Sequence, residues 1–507
     1  MEKETEGRDR SVWNTYPNWL TLLGAGLVAL AFFSGVFLFL LEITSSKASP
    51  YVGVNYIPIS ALLVIGFICI PLGIWRERRR QRSQEGRHPA LSVDFTSPRH
   101  VYAALSLLAG ALVVVLLLGI ASYRSYHASE TAEFCGELCH QVMEPEWVSY
   151  HRSAHARVAC AECHIGSGAG WYVRSKLSGL RQVWAVAMDT YPRPIPTPIH
   201  DLRPARETCE ECHWRRKFIG YKESVRSYFL SGEDNEPYRL RMLVKIGGEG
   251  TSLLKGSGIH YHMLIANKVE YIAVDERRQE IGWVRVTRAD GSVTEYENSD
   301  SPLPDDRSGL AVRTMDCMDC HNRPAHQFPS PVSSVNAALD DGRLSRELPY
   351  IKVQAVEALS DTYESDEKAM VGIANTMRSF YREEYPEFVN GNSAVLINSI
   401  QQVQDIYKNT MFPLMHARWS AYPDNIGHLE SPGCFRCHTE AMESKDGQTI
   451  FTSCSGCHVI LAQGDSIEKV EVNLEEGLPF VHPEDFSEMD EFENCSDCHT
   501  GGSDIYE

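Results

Sequence analysis

The chain has 507 residues and a formal net charge of −19, with 43% apolar residues, a length that calls for more than one domain. So acidic a balance excludes nucleic acid as a partner, and it is uneven, +3 over the first hundred residues and −22 over the rest. Fourteen of the 15 cysteines fall into seven short pairs, each followed directly by a histidine.

Residues 1–130 carry three apolar runs without internal charge, about 20–41, 57–75 and 101–123. Each is near the length that crosses a bilayer as a helix, so three N-terminal transmembrane helices are expected in a membrane anchor over residues 1–126. Trp13, Tyr16 and Trp19 precede the first run, Trp75 closes the second, and Tyr123 and Tyr126 close the third, the places of interfacial aromatics. A cleaved signal peptide is the rival reading of the first run, but the run is too long and its flank is mixed in charge. Arg76, Arg78, Arg79, Arg80, Arg82, Arg87 and Arg99 lie between the second and third runs, against Lys47 alone after the first. The positive-inside bias makes that arginine segment cytoplasmic. The amino terminus is then cytoplasmic, the protein sits in a bacterial inner membrane, and all that follows Tyr123 is periplasmic.

The cysteine pairs begin a dozen residues further on. Cys135-Gly-Glu-Leu-Cys139-His140 comes first, followed by Cys160/Cys163/His164, Cys209/Cys212/His213, Cys317/Cys320/His321, Cys434/Cys437/His438, Cys454/Cys457/His458 and Cys495/Cys498/His499. Two thiols this close can each bond one vinyl group of a single porphyrin, and the adjoining imidazole then ligates its iron. Zinc would need paired motifs at finger-like spacing, and a disulfide framework leaves the recurring histidine unexplained. Seven covalently bound c-type haems are therefore expected. In the first motif the extra residue must bulge for both sulfurs to reach one ring. Cys69, the cysteine left over, reads as an inert buried thiol.

The expected fold is a multihaem cytochrome c, mainly α with little regular structure around the haems. Residues 127–331 form a four-haem domain. Within it, alternating runs at 239–246, 268–274 and 283–286, with Gly247-Gly248 and Asp290-Gly291 as breaks, predict a small β insertion at about 222–312. Residues 332–507 form a helical spacer and a three-haem module. In the spacer Leu396, Ile400, Val403 and Tyr407 share one helical face, and Ala369, Ile373, Met377 and Phe380 another.

Twelve histidines lie outside the motifs, and His88 and His100 fall on the cytoplasmic side. The remaining candidates for second axial ligands are His127, His151, His155, His200, His260, His262, His326, His416, His428 and His482. His155, His326, His428 and His482 are favoured by context. Met143 and Met442, three and four residues after His140 and His438, are candidate thioether ligands that would raise an iron's potential.

From the third span through the fourth motif the residues resemble the NapC/NirT family of membrane-anchored periplasmic cytochromes. The matching features are Phe134-Cys135-Gly136 after a membrane helix, Tyr150, Ser153 and His155 before Cys160, Lys176 eight residues ahead of Trp184, and Cys317-Met-Asp-Cys-His321 followed by Ala325-His326. The resemblance implies quinol oxidation and electron delivery to soluble partners, with His155 and His326 as distal ligands, Met143 on the first haem, Lys176 in the quinol pocket, and an acid where this chain has Gln182. Family members usually have one span, four haems and a regular first motif; three spans, seven motifs and a CxxxCH depart from that. The overall plan is similar to seven-haem inner-membrane cytochromes of metal-respiring bacteria. The residues before the fifth motif, Tyr422-Pro-Asp-Asn-Ile-Gly-His428, also resemble multihaem cytochromes.

The expected function is an inner-membrane menaquinol dehydrogenase that passes electrons to periplasmic acceptors in anaerobic respiration. Its partners would be the membrane quinone pool and periplasmic c-type cytochromes, and a homo-oligomer is among the arrangements the composition permits. Quinol releases protons that a haem does not take, which draws attention to Lys176, Asp189, Glu133 and Glu144. The acidic run 468–493 is a candidate docking face for a basic cytochrome. Two rival functions are an electron relay or capacitor fed by another membrane protein, and a reductase of a small anion such as nitrite, which would need an iron with an open face.

Overall fold

The computed structural model describes residues 19–44, 50–84, 98–166, 169–199, 203–214, 217–247, 258–263, 267–307, 309–391, 393–465, 473, 475–484 and 494–504. Trp13, Tyr16, Lys47, Arg87, His88, His200 and most of the acidic run 468–493 lie outside the described residues. Two compact units divide the chain, Met1–Cys139 and His140–Glu507. The boundary falls inside the first cysteine motif.

The first unit holds α1 (Trp19–Thr44), α2 (Pro50–Gln84), α3 (Pro98–Ala128) and α4 (Ala132–Glu137). Within α1 and α2 the stretches Trp19–Phe37 and Ile59–Glu77 are long and apolar enough to cross a membrane. Leu22, Leu30, Phe33 and Phe37 on α1 and Val64, Phe67 and Ile68 on α2 are exposed, a surface suited to lipid. Close packing of the pair depends on two glycines. A Cβ added to Gly24 would lie 2.8 Å from the Gly66 carbonyl oxygen, and one on Gly66 would lie 2.9 Å from that of Gly24, the small-residue contact by which membrane helices approach. The third expected span is one continuous helix of 31 residues.

The second unit opens with α5 (His140–His151), α6 (Cys160–His164), α7 (Ala169–Ala187) and α8 (Ala205–Thr208). Strands β1 (Gly220–Phe229), β2 (Pro237–Gly247), β3 (Lys268–Ala273), β4 (Ile281–Thr287), β5 (Val293–Asn298) and β6 (Arg313–Thr314) follow, then α9 (Cys317–Cys320). A helical region comes next: α10 (Pro331–Asp340), α11 (Ile351–Ser360), α12 (Asp366–Glu384), α13 (Pro386–Gly391) and α14 (Ser393–Thr410). The chain ends through β7 (Met442–Ser444), β8 (His458–Gly464) and α15 (Cys495–Cys498). The motif helices are single turns, and the motifs at Cys434 and Cys454 begin in 3₁₀ turns.

Helices α10, α11, α12 and α14 supply most of the largest apolar core, and local signals fix where they begin. Ser330 caps α10 by accepting from Ser333 N and is followed by proline at the first helical position, while Ser365 caps α12 by accepting from Lys368 N. The predicted faces are buried: Ala369, Ile373 and Met377 on α12 meet Leu396, Ile400, Val403 and Tyr407 on α14. Phe380 is only half-buried. Its neighbour Tyr381 takes the buried place, because its hydroxyl reaches the Pro349 carbonyl at 2.8 Å. Met377 has no exposed surface, so Met377→Ala is expected to cost about 2–5 kcal/mol, read as a lower urea midpoint of the helical region.

The strands expected at 239–246, 268–274 and 283–286 are the cores of β2, β3 and β4. Asp290-Gly291 forms the turn between β4 and β5, with Gly291 at φ +83°. The β segment does not pair only with itself. One sheet runs β1-β2-β8 and the other β6-β3-β4-β5-β7, so each takes in a strand from beyond the helical region. Strand β6 leads into the fourth motif, β7 follows the fifth, and β8 starts at His458 of the sixth.

Candidate haem sites

Each motif histidine from the second to the seventh faces one non-motif histidine. Ring centroids are 6.3 Å apart for His164 and His326, 6.1 Å for His213 and His155, and 6.4 Å for His321 and His260. The others stand at 5.8 Å for His438 and His262, 6.2 Å for His458 and His428, and 6.1 Å for His499 and His482. An iron about 2 Å from a nitrogen of each ring, with each ring centre roughly 1.2 Å beyond, requires a separation of about 6.3 Å. The pairs fit a six-coordinate haem iron. Among the described residues no three or more His, Cys, Asp or Glu side chains gather as a structural zinc would require.

Second contacts hold the rings in the form a metal needs. The Nδ1 atoms of His155, His326, His260 and His262 lie 3.1–3.3 Å from the carbonyl oxygens of Pro324, Glu146, Ile246 and Ile259. A proton held there leaves Nε2 bare for iron. Burial lowers the pKa of His164, His260, His321, His428, His458 and His499. His262 falls to about 4 through burial and the charge of His438, and His326 to about 4 through burial and the Arg323 guanidinium. Both are neutral at pH 7, the ligating state.

These six motifs also form a row. Cys163 lies within electrostatic reach of Cys212, Cys209 hydrogen-bonds Cys317, and Cys320 is close to Cys434 and Cys437. Beyond them Cys434 is close to Cys457, and Cys454 to Cys495. Sequence order is spatial order.

The fourth and fifth motifs share a buried hub at Asp319. Its Oδ1 accepts from the Tyr271 hydroxyl at 2.6 Å and from Arg313 Nε at 2.7 Å, and its Oδ2 from Asp316 N at 2.6 Å. Its backbone oxygen accepts from Asn425 Nδ2 and from Arg436, which lies inside the fifth motif. The turn carrying His428 is held as closely. Gly433 has φ +48°, and a Cβ there would lie 2.0 Å from the Gly427 carbonyl oxygen. Gly433→Ala is therefore expected to displace the fifth motif and lower the yield of fully haem-loaded protein, measured as haem per polypeptide; full loading would show that the loop relaxes freely.

The remaining predicted residues are placed differently. Met442 has no exposed surface and packs with Val269, Tyr271, Ile281, Val284 and Tyr296. It is a core residue of β7, and His262 takes the place facing His438. Met143 is half-buried on α5, whereas the side chain of His140 lies outside the described set. His151 turns Nδ1 to the Trp147 carbonyl, His127 sits edge-on to Tyr123 and Tyr126, and His416 is exposed at φ +50°.

On α7 Lys176 is half-buried, Gln182 is exposed and bonded to Ser178, and Asp189 follows the helix at φ +53° in a 2.5 Å ion pair with Arg193. At about 100° per residue Gln182 lies roughly 120° around the helix from Lys176, and Asp189 is about 20 Å further along the chain axis. The three do not share one pocket wall. Lys176 instead belongs to a stripe formed by Leu177, Leu180, Val183 and Trp184, all more than half exposed, with Arg174 and Arg181 on its other edge.

The carbonyls that anchor the ligand rings, Phe218 and Phe435 stacked 4.4 Å from His260 and His428, and Asp319 carry functions that the sequence reading missed. Asp319 alone carried a local signal, as the third residue of a capping box set by Asp316.

Residues 97–195 match the NapC/NirT cytochrome c family, N-terminal region. The cytochrome c-type protein ImcH of Geobacter sulfurreducens (strain ATCC 51573 / DSM 12127 / PCA) is 39% identical over 498 residues, 97% of this chain and 96% of that protein. No solved structure matches the chain.

Proposed function

Because this chain belongs to the NapC/NirT-type multihaem cytochromes c and is a homologue of ImcH, we propose that it oxidises menaquinol at the bacterial inner membrane and delivers the electrons to periplasmic c-type cytochromes. The observation that carries this reading is the row of six facing imidazole pairs. When bound, seven haems would supply one-electron couples along that row and at the first motif. The paired histidines would hold both faces of six irons, an arrangement that would leave no open face there for nitrite. His140 would ligate the first iron, with Met143 as its candidate partner. Three spans, α1, α2 and α3, would anchor the chain with its amino terminus in the cytoplasm.

The chain's part in quinol oxidation is to bind a lipid-soluble ring and remove two protons. The exposed stripe on α7 suits the first task, because its leucines and tryptophan can enter the acyl region while Arg174 and Arg181 stay at the headgroups. Lys176 suits the second: it lies within that stripe, where an amine can take up a proton and pass it on. Gln182 and Asp189 are left outside this proton step, the first by its place on the helix and the second by its pairing with Arg193.

The test is purified protein with a menaquinol analogue. We expect haem to be reduced by the quinol alone, and Lys176→Ala to slow that reduction about 100-fold while dithionite reduces both forms alike. Equal quinol rates would remove Lys176 from the site; no quinol reduction of the unsubstituted protein would leave a relay fed by another membrane protein. The strongly acidic exterior gives a further expectation: electron transfer to a basic soluble cytochrome should slow as salt rises from about 0.01 to 0.15 M, over which the screening length falls from about 30 to 8 Å.

A further inference from the structure

We propose that the tripeptide His260-Tyr261-His262 is a double ligand that joins the two haem groups, His260 closing the iron of the fourth motif and His262 that of the fifth. The inference rests on the haem reading given above and assigns the two sites where that reading meets the middle of the chain. His260 faces His321 at 6.4 Å with the rings 14° from parallel, and His262 faces His438 at 5.8 Å with the rings at 87°. Residues two apart have Cα atoms at most about 7 Å from each other. Two irons held by one such tripeptide are kept at a fixed, short spacing.

The tripeptide is itself held by β2. Ile259 N donates to the Lys245 oxygen at 2.9 Å, His260 N to the Ile246 oxygen at 3.2 Å, and His260 Nδ1 lies 3.1 Å from that same oxygen. The segment can return to the strand only because Gly258 lacks a side chain: a Cβ there, at φ +105°, would lie 2.9 Å from the Gly247 Cα. Phe218 stacks on the outer face of His260 at 4.4 Å and fixes its plane. The same strand reaches the sixth motif: Lys245 N donates to the Cys457 oxygen at 2.7 Å, and Val244 is paired with His458. One strand therefore references the ligands of the fourth, fifth and sixth motifs to a common frame. The ligand-bearing turn reaches both groups, and β2 serves as its mounting.

The experiment uses the full chain with its haems, in the forms His260→Gly, His262→Gly and the double variant. Loss of a distal imidazole opens one face of one iron, so ferrous protein should bind one additional carbon monoxide per chain in each single variant and two in the double. Added imidazole should suppress the new binding. Haem per chain, measured on the same samples, separates the two levels of the argument. Fewer than seven haems in the unsubstituted protein would sink the parent reading, whereas seven haems with no new carbon monoxide site in either single variant would overturn only the double ligand. If a glycine variant does not accumulate, His260→Met and His262→Met put a thioether within reach of the same irons. Each should then add one ferric thioether charge-transfer band, and its absence would overturn that assignment.

Discussion

Replacing Cys434 and Cys437 together by serine is expected to remove one covalent haem of seven and to stop quinol-driven reduction at the fourth motif. A serine hydroxyl forms no thioether, so the fifth site loses its tether while His438 and His262 remain. The effect on the rest follows from position. Cys434 is close to Cys320 on one side and to Cys457 on the other, so this motif stands between the fourth and the sixth. Haem per chain should fall to six, with about four reducible by a menaquinol analogue and all six by dithionite. Equal reduction by both donors at the rate of the unsubstituted protein would mean that the last two sites receive electrons by another path.

Asp319→Ala should be strongly destabilising although it touches neither a ligand nor a tether. The carboxylate is 3% exposed and takes hydrogen bonds from Tyr271 and Arg313, with Arg278 3.8 Å away. Burial, and then the neighbouring carboxylate, push the pKa of the Tyr271 phenol up, while the hydrogen bond and charge of Asp319 outweigh burial to raise that of the Arg313 guanidinium, so the arginine stays charged and the phenol stays a donor. Removing the carboxylate leaves Arg278 without this partner and Arg313 with Asp316, 2.9 Å away, in a partly desolvated place, at a cost of about 3 kcal/mol. Asp319→Asn keeps the volume and one acceptor, and should lose less. The measurement is the denaturation midpoint of each haem-loaded variant against the unsubstituted protein. A midpoint for Asp319→Ala within about 0.5 kcal/mol of the original would show that the arginines find water instead.

The cysteine motifs were legible because thioether attachment and proximal ligation happen within one turn of chain, where residue order is geometry. The faces of α12 and α14 were legible for the same reason, since a period of 3.6 is a local property. Phe380 and Tyr381 show the limit: both are aromatic, and which one turned inward was decided by the Pro349 carbonyl on another element. The histidines outside the motifs could be listed but not matched to a motif, because His326 with His164 or His262 with His438 meet only after distant segments fold together. Met442 was misjudged on spacing alone. Four residues after a proximal histidine is a reasonable distance for a thioether ligand, but β7 carries the side chain into the apolar face of the five-stranded sheet. Lys176 and Gln182 come from the family resemblance and Asp189 from its proton chemistry, and helical geometry sets Lys176 and Gln182 on different faces of α7. The anchoring carbonyls have no sequence signature, since every residue carries one.

The pairing of β2 with β8 also sets a timetable for maturation. The strand that mounts the His260 turn cannot complete its sheet until the polypeptide has been made as far as Gly464, and β5 waits likewise for Ser444. Porphyrins can be fastened to the early cysteines one at a time as these appear. On the reading proposed above, each motif from the third to the seventh would find its facing imidazole already made, whereas His164 would wait for His326, and the frame of the His260 turn would stay incomplete in a chain cut short before β8.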